Sequence, residues 1–202
     1  MTGHQKLKPL VIRRSKTPRC FKGAKSLEVY YDFNKKSWRT SEICENWIQK
    51  LDKHMVKKCR KIAFLLDNSP AYPKEINPKL KNITDFYLPS NTTSKLQPMD
   101  QGVIKHFKVH YRKRILRKII TALENNQFMP NINLRESISE ISKAWSYEVT
   151  DRTIHNSFAK ATFFVCSESE RTEDEDDIPY EETKKKMDTA KGKSRNYGFC
   201  TA

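Results

Sequence analysis

From Thr40 or Ser41, either one a good N-cap, the apolar residues Ile43, Trp47, Leu51 and Met55 recur every four positions with Ile48 beside them. That spacing predicts an amphipathic helix ending near Lys58. Lys61 then introduces Ile62-Ala63-Phe64-Leu65-Leu66, an apolar run too short for a helix, which reads as a strand buried on both faces as in a parallel sheet. Asp67-Asn68-Ser69-Pro70 stops it. Ile83 to Leu88 repeats the strand pattern, and Pro89 to Ser94 reads as a polar loop. Upstream, Pro9 to Ile12 and the stretch Leu27 to Tyr31, which follows a turn at Gly23, are two further strands. Downstream, Pro98 sits at a favourable first-turn position for a long helix whose apolar stripe is Val103, Phe107, Tyr111, Ile115 and Ile119. Asn133, with Glu136 three residues later, makes a capping-box-like start for a helix carrying Leu134, Ile138, Ile141 and Trp145. Thr150 opens a last helix with Ile154 and Phe158. Strands alternating with helices predict an α/β domain with a helical C-terminal extension.

Composition narrows the class. With 202 residues the chain suits one domain plus a tail. A mean hydropathy of -0.80 and the lack of any long apolar run exclude a helical membrane span. The N-terminus has no apolar segment of the kind a secretory signal needs, and an intracellular protein is expected. Cys20, Cys44, Cys59, Cys166 and Cys200 are odd in number and widely spaced, with no CxxC pair, so reduced thiols are expected in place of a disulfide framework or a zinc site.

Charge points outward. Residues 1–166 carry 32 Lys and Arg against 14 Asp and Glu, a net +18, whereas the remaining 36 residues carry 7 against 10. A polyanion is the partner such a body attracts, with nucleic acid first and membrane surfaces behind it. On the long helix, Lys105, Lys108, Arg112, Lys113, Arg117 and Lys118 occupy the faces away from the apolar stripe, and the first five are the candidate DNA contacts. The acidic run Glu168 to Asp177, followed by Lys184-Lys185-Lys186 and Lys191, Lys193 and Arg195, reads as a disordered tail over residues 166–202. Its basic cluster suits nuclear import.

Two carboxylates could do chemistry. Asp67 ends the buried strand, and Asp100 falls in the first turn of the long helix 33 residues later. Ligand sites of open α/β sheets gather at strand carboxyl ends. Carboxylates brought together there can hold a pair of Mg²⁺ ions that activate a hydroxyl and stabilise the departing oxygen of a phosphodiester. Each also has an ordinary structural explanation, Asp67 as a turn residue and Asp100 as a complement to a helix dipole. His106 and His110, four apart on the helix, lack a third ligand and read as solvated members of the basic surface. Trp38, Trp47 and Trp145 read as packing residues in preference to base-stacking platforms.

The words around the two aspartates are more specific. Phe64-Leu65-Leu66-Asp67-Asn68-Ser69-Pro70-Ala71 and the run Leu88-Pro89-Ser90-Asn91-Thr92-Thr93-Ser94-Lys95-Leu96-Gln97-Pro98-Met99-Asp100-Gln101-Gly102-Val103-Ile104 resemble the second and third acidic motifs of Tigger/pogo-type DDE transposases. The likeness extends back through Lys8 to Ile12, Pro18 to Phe21 and Lys35 to Trp38, and forward through Phe107 to Lys113, Lys143 to Trp145 and Thr153-Ile154. It covers roughly residues 6–164. The resemblance implies a ribonuclease H-like fold, Mg²⁺ held by Asp67 and Asp100, cutting and joining of DNA strands, and kinship with centromere protein B. It divides the chain into a partial endonuclease domain over 1–125, a helical extension over 126–165 and the tail.

Two departures bear on activity. The family's first aspartate lies on a strand before the segment matched by Lys6 to Ile12, so the chain reads as truncated. Asp32, in a post-strand linker, and Asp52, in a helix interior, match no acidic motif. Tyr72 stands where the family usually has His. The expectation is therefore a transposon-derived nuclear protein that binds DNA without sequence preference, takes no small-molecule substrate and is catalytically incompetent. The alternatives are an active Mg²⁺-dependent endonuclease and strand transferase if upstream residues exist, and a domesticated protein-interaction module. Loss of the upstream strands also predicts a split sheet, an unpaired edge along Ile62 to Leu66 and a tendency to aggregate.

Overall fold

The computed structural model describes residues 5–67 and 80–163. The segment after Asp67, with Tyr72, and the charged tail lie outside the described residues. Strand β1 (Leu10–Arg13) pairs in parallel with β2 (Tyr30–Phe33), and β3 (Ile62–Leu66) pairs in parallel with β4 (Ile83–Tyr87), giving two separate two-stranded sheets. The second strand thus starts three residues later than the apolar stretch Leu27 to Tyr31 predicts. Asp32 consequently lies within β2, not in a linker after it.

Helix α1 (Ser41–Lys57) begins as its sequence dictates: the Thr40 hydroxyl accepts from Ile43 N at 3.4 Å. Its apolar face, Cys44, Ile48, Leu51 and Met55, is buried with Ile83 of β4, and Trp47, Ile62, Phe64 and Leu80 pack against that cluster. The Trp47 and Phe64 rings lie 5.9 Å apart. Burying side chains of this size stabilises the fold by about 1.5–3 kcal/mol each, so the α1 stripe is what holds this sheet. The strand β3 is not covered on both faces as its apolar composition suggests, since Ala63 is exposed while Leu66 is buried.

Asp52 has a structural role that its position in α1 conceals. Its buried carboxylate accepts from the backbone amides of Lys81, at 3.2 Å from each oxygen, and of Asn82, at 2.8 Å. These bonds fix the point where the chain enters β4.

The loop after β4 is more ordered than a polar loop. It contains a short helix α2 (Thr93–Leu96), and a π-helical turn (Met99–Val103) then bends at Gly102 into the long helix α3 (Ile104–Glu124). The N-caps expected at Asn133 and Thr150 form. Asn133 Oδ1 accepts from Glu136 N at 3.0 Å to start α4 (Leu134–Lys143), and Thr150 Oγ1 accepts from Thr153 N at 3.2 Å to start α5 (Asp151–Lys160). A second π-helical turn (Ala144–Glu148) follows α4.

The chain divides into two compact units, residues 112–131 belonging to one and the described residues 5–111 and 132–163 to the other. Within the latter, the N-terminal segment clasps the turn after α4. Lys6 Nζ donates to the carbonyls of Trp145, Ser146 and Val149 at 3.0, 2.9 and 2.6 Å, and Trp145 Nε1 donates to Leu7 O at 2.8 Å. A cation on carbonyls at a helical C-terminus satisfies groups that have no partner within the helix.

Candidate functional site

Asp67 follows directly on β3, and Asp85 stands in β4 opposite Phe64. Alternation along a strand puts Asp85 on the same face as Ile83, the face that meets α1. One oxygen of each carboxylate, Asp67 Oδ1 and Asp85 Oδ1, is buried and accepts no hydrogen bond among the described residues. Burial pushes the Asp85 carboxyl above the usual aspartate range. The Cys44 thiol is raised by burial against the opposing pull of Arg39, with the charges of Asp85 and Asp67 adding to the rise. Tyr87 is raised by burial, then by Asp85 and Cys44. Asp67, Asp85, Cys44 and Tyr87 therefore share one electrostatic neighbourhood at the carboxyl end of the β3–β4 sheet. Asp85 belongs to no acidic motif, although its place two residues after the buried Ile83 in a strand pattern signals an inward carboxylate.

Asp100 sits differently. It is exposed in the π-helical turn before α3, where its amide donates to Gln97 O at 3.0 Å. Among the described residues no three His, Cys, Asp or Glu side chains gather as metal ligands. Two Mg²⁺ ions in near-octahedral oxygen coordination need carboxylates that bridge and flank them. The described donor set falls short of that requirement.

The basic residues of α3 are placed by its apolar stripe. In the first unit Lys105 and Lys108 are exposed, and in the second unit Arg112 and Arg117 are exposed while Lys113 is half-buried. The two histidines of this helix depart from expectation. His110 is buried, its Nδ1 3.6 Å from Glu148 Oε2, and its ring lies 4.4 Å from that of His106. The cause is that position 110 faces the turn after α4, where Trp145 also packs edge-on to Phe107 at 6.0 Å. Trp47 and Trp145 are packing residues as predicted, but Trp38 is 71% exposed.

The family profile of the DDE superfamily endonucleases matches residues 1–158. The chain belongs to that family. It is 37% identical over 163 residues to the Tigger transposable element-derived protein 4 of Mus musculus, an alignment covering 81% of this chain and 31% of that protein. It is 30% identical over 171 residues to the ARS-binding protein 1 of Schizosaccharomyces pombe, covering 78% of this chain and 32% of that one. The major centromere autoantigen B of Homo sapiens is 28% identical over 146 residues, covering 71% of this chain and 23% of its own. The chain thus spans a third or less of the length of these relatives. No solved structure matches it. The resemblance carried by the words around Asp67 and Asp100 is borne out at the level of the family. No helix among the described residues is long and apolar enough to cross a membrane.

Proposed function

We propose that this member of the DDE superfamily endonuclease family is a nuclear DNA-binding protein that contacts the phosphate backbone without reading sequence. The observation that carries the reading is the exposure of Lys105, Lys108, Arg112 and Arg117 on α3, in a body whose first 166 residues hold a net +18. Where such cations contact phosphates, they position a protein on DNA and do not discriminate bases. The names of the ARS-binding and centromere relatives favour a chromosomal role and a nuclear location. The parallel pairs β1–β2 and β3–β4, with α1 packed on the second, suit parts of a ribonuclease H-like sheet. Titration of duplex DNA at several salt concentrations tests the proposal. Neutralising about four to six phosphates gives a slope of log K against log salt of roughly -4 to -5. Replacing Lys105, Lys108, Arg112 and Lys113 with Gln should weaken binding to all sequences alike, and a flat salt dependence would overturn it.

A second reading is a Mg²⁺-dependent DNA endonuclease and strand transferase. The unsatisfied oxygens of Asp67 and Asp85 favour it, because a buried carboxylate oxygen without a donor is chemically suited to a cation. It stands second because the described carboxylates are too few for a metal pair. No nicking of supercoiled DNA is expected with Mg²⁺ or Mn²⁺. Nicking that disappears in Asp67→Asn and Asp100→Asn would reverse the ranking.

A further inference from the structure

Because β1 and β2 are parallel, their carboxyl ends lie side by side, with Arg13 in register with Phe33. The loops that leave those ends are tied together: Asn34 N donates to Arg13 O at 2.9 Å, and Tyr31 Oη donates to Ser15 O at 2.6 Å. Arg13 ends β1, the loop after it carries Arg14 and Lys16, the other loop carries Lys35 and Lys36, and these side chains are exposed. The nearby Asp32 is occupied locally, its Oδ1 accepting from Phe33 N at 2.8 Å.

The second loop also carries an indole. Trp38 is 71% exposed, yet its backbone is firmly held. Asn34 Oδ1 accepts from Lys36 N at 3.0 Å and from Trp38 N at 3.1 Å, Asn34 Nδ2 donates to Trp38 O, and Ser37 N donates to Asn34 O at 3.0 Å. Ser37 takes the left-handed conformation at φ +56° to complete the turn. Phe33, 41% exposed, has its ring under Lys16 Nζ at 5.8 Å. Leaving a Trp largely in water forgoes much of the stabilisation its burial would give, and here a hydrogen-bonded turn holds the backbone that presents it. An aromatic face among phosphate-binding cations suits a base that is not stacked inside a duplex.

We infer that Trp38 is a stacking platform for an unpaired base, and that the two basic loops at the carboxyl end of the β1–β2 sheet form a binding site for single-stranded DNA. The site rests on the DNA-binding reading but adds a substrate form, single strand over duplex, on residues other than those of α3. Stacking contributes about 1–3 kcal/mol per base, equivalent to roughly 5- to 150-fold in affinity.

The test uses the full chain with a dT oligonucleotide of about twelve nucleotides and a duplex of equal length, within the range one such groove spans. Anisotropy gives the affinities, and quenching of tryptophan emission reports the stacking. The expected result is that Trp38→Ala weakens dT binding by at least about fivefold, in proportion to the lost stacking, while duplex affinity and the salt slope stay the same. Trp38→Phe should retain most of the dT affinity, and it should remove most of the quenching, because Trp47 and Trp145 are half-buried and packed against Phe64 and Phe107. Position 38 is exposed, so neither variant should disturb the fold. Duplex binding that is salt-dependent, with dT affinity insensitive to Trp38→Ala, would overturn this inference alone. Failure to bind either DNA would overturn it together with the DNA-binding reading.

Discussion

Gly102 lies directly against Ser157: a Cβ at position 102 would stand 2.8 Å from Ser157 Oγ, itself buried and donating to Thr153 O at 2.8 Å. The bend between the π-helical turn and α3 is therefore seated on α5 through a contact that admits hydrogen and no carbon. Gly102→Ala should destabilise the protein by about 1–2 kcal/mol, the cost of forcing extra volume into a packed site. Urea unfolding measures the loss. Ser157→Ala removes the opposing oxygen, so the double variant should regain part of it. Strictly additive effects of the two changes would contradict a direct contact.

Asp52 ties α1 to the start of β4 through the amides of Lys81 and Asn82. Asp52→Ala leaves those donors without their acceptor, at about 1–3 kcal/mol for each one that stays buried. A loss of about 2–4 kcal/mol in chemical denaturation is expected. A change below about 0.5 kcal/mol, the level of an ordinary surface substitution, would refute the role.

Asp85 supplies a pH dependence of definite sign. Burial raises its carboxyl pKa above the ordinary aspartate value of 3.8, so between that value and the folded pKa the folded state holds the proton more often than the unfolded chain does. Stability from this group is complete below the unfolded pKa and is lost as pH rises through the folded one. Asp85→Asn, neutral throughout, should lack this decline and melt higher than the parent once the pH is above the folded pKa of Asp85. Parallel melting-temperature profiles for the two proteins would reject the assignment.

The edges of β3 should differ in hydrogen exchange. Ile62 N donates to Asn82 O at 2.9 Å, and strand geometry turns the amides of Phe64 and Leu66 the same way. The amides of Ala63 and Leu65 face the opposite edge, where no strand lies among the described residues. Ala63 and Leu65 are expected to exchange faster than Phe64 and Leu66, and an edge so open is prone to pair with other chains. Equal protection at all four would mean that this edge is closed by other parts of the chain.

Much of this protein is local and therefore legible before folding. The fourfold spacing of Ile43, Trp47, Leu51 and Met55, the caps at Thr40, Asn133 and Thr150, and the apolar run Ile62 to Leu66 depend on neighbours a few residues away, and each forms the element expected. The words around Asp67 and Asp100 likewise led to the family. What the sequence left open depends on contacts between residues far apart in the chain. Burial of His110 requires Glu148 to arrive from the turn after α4, and the role of Asp52 requires the amides some 30 residues later. The inward Asp85 acquires meaning only when β4 lies beside β3 and α1 covers them both. Trp38 looks like core by composition, because an indole is usually worth burying. Asn34 instead closes a tight local turn beneath it, and since the tertiary fold brings no buried cluster over that turn the indole stays 71% exposed, against what its hydropathy favours.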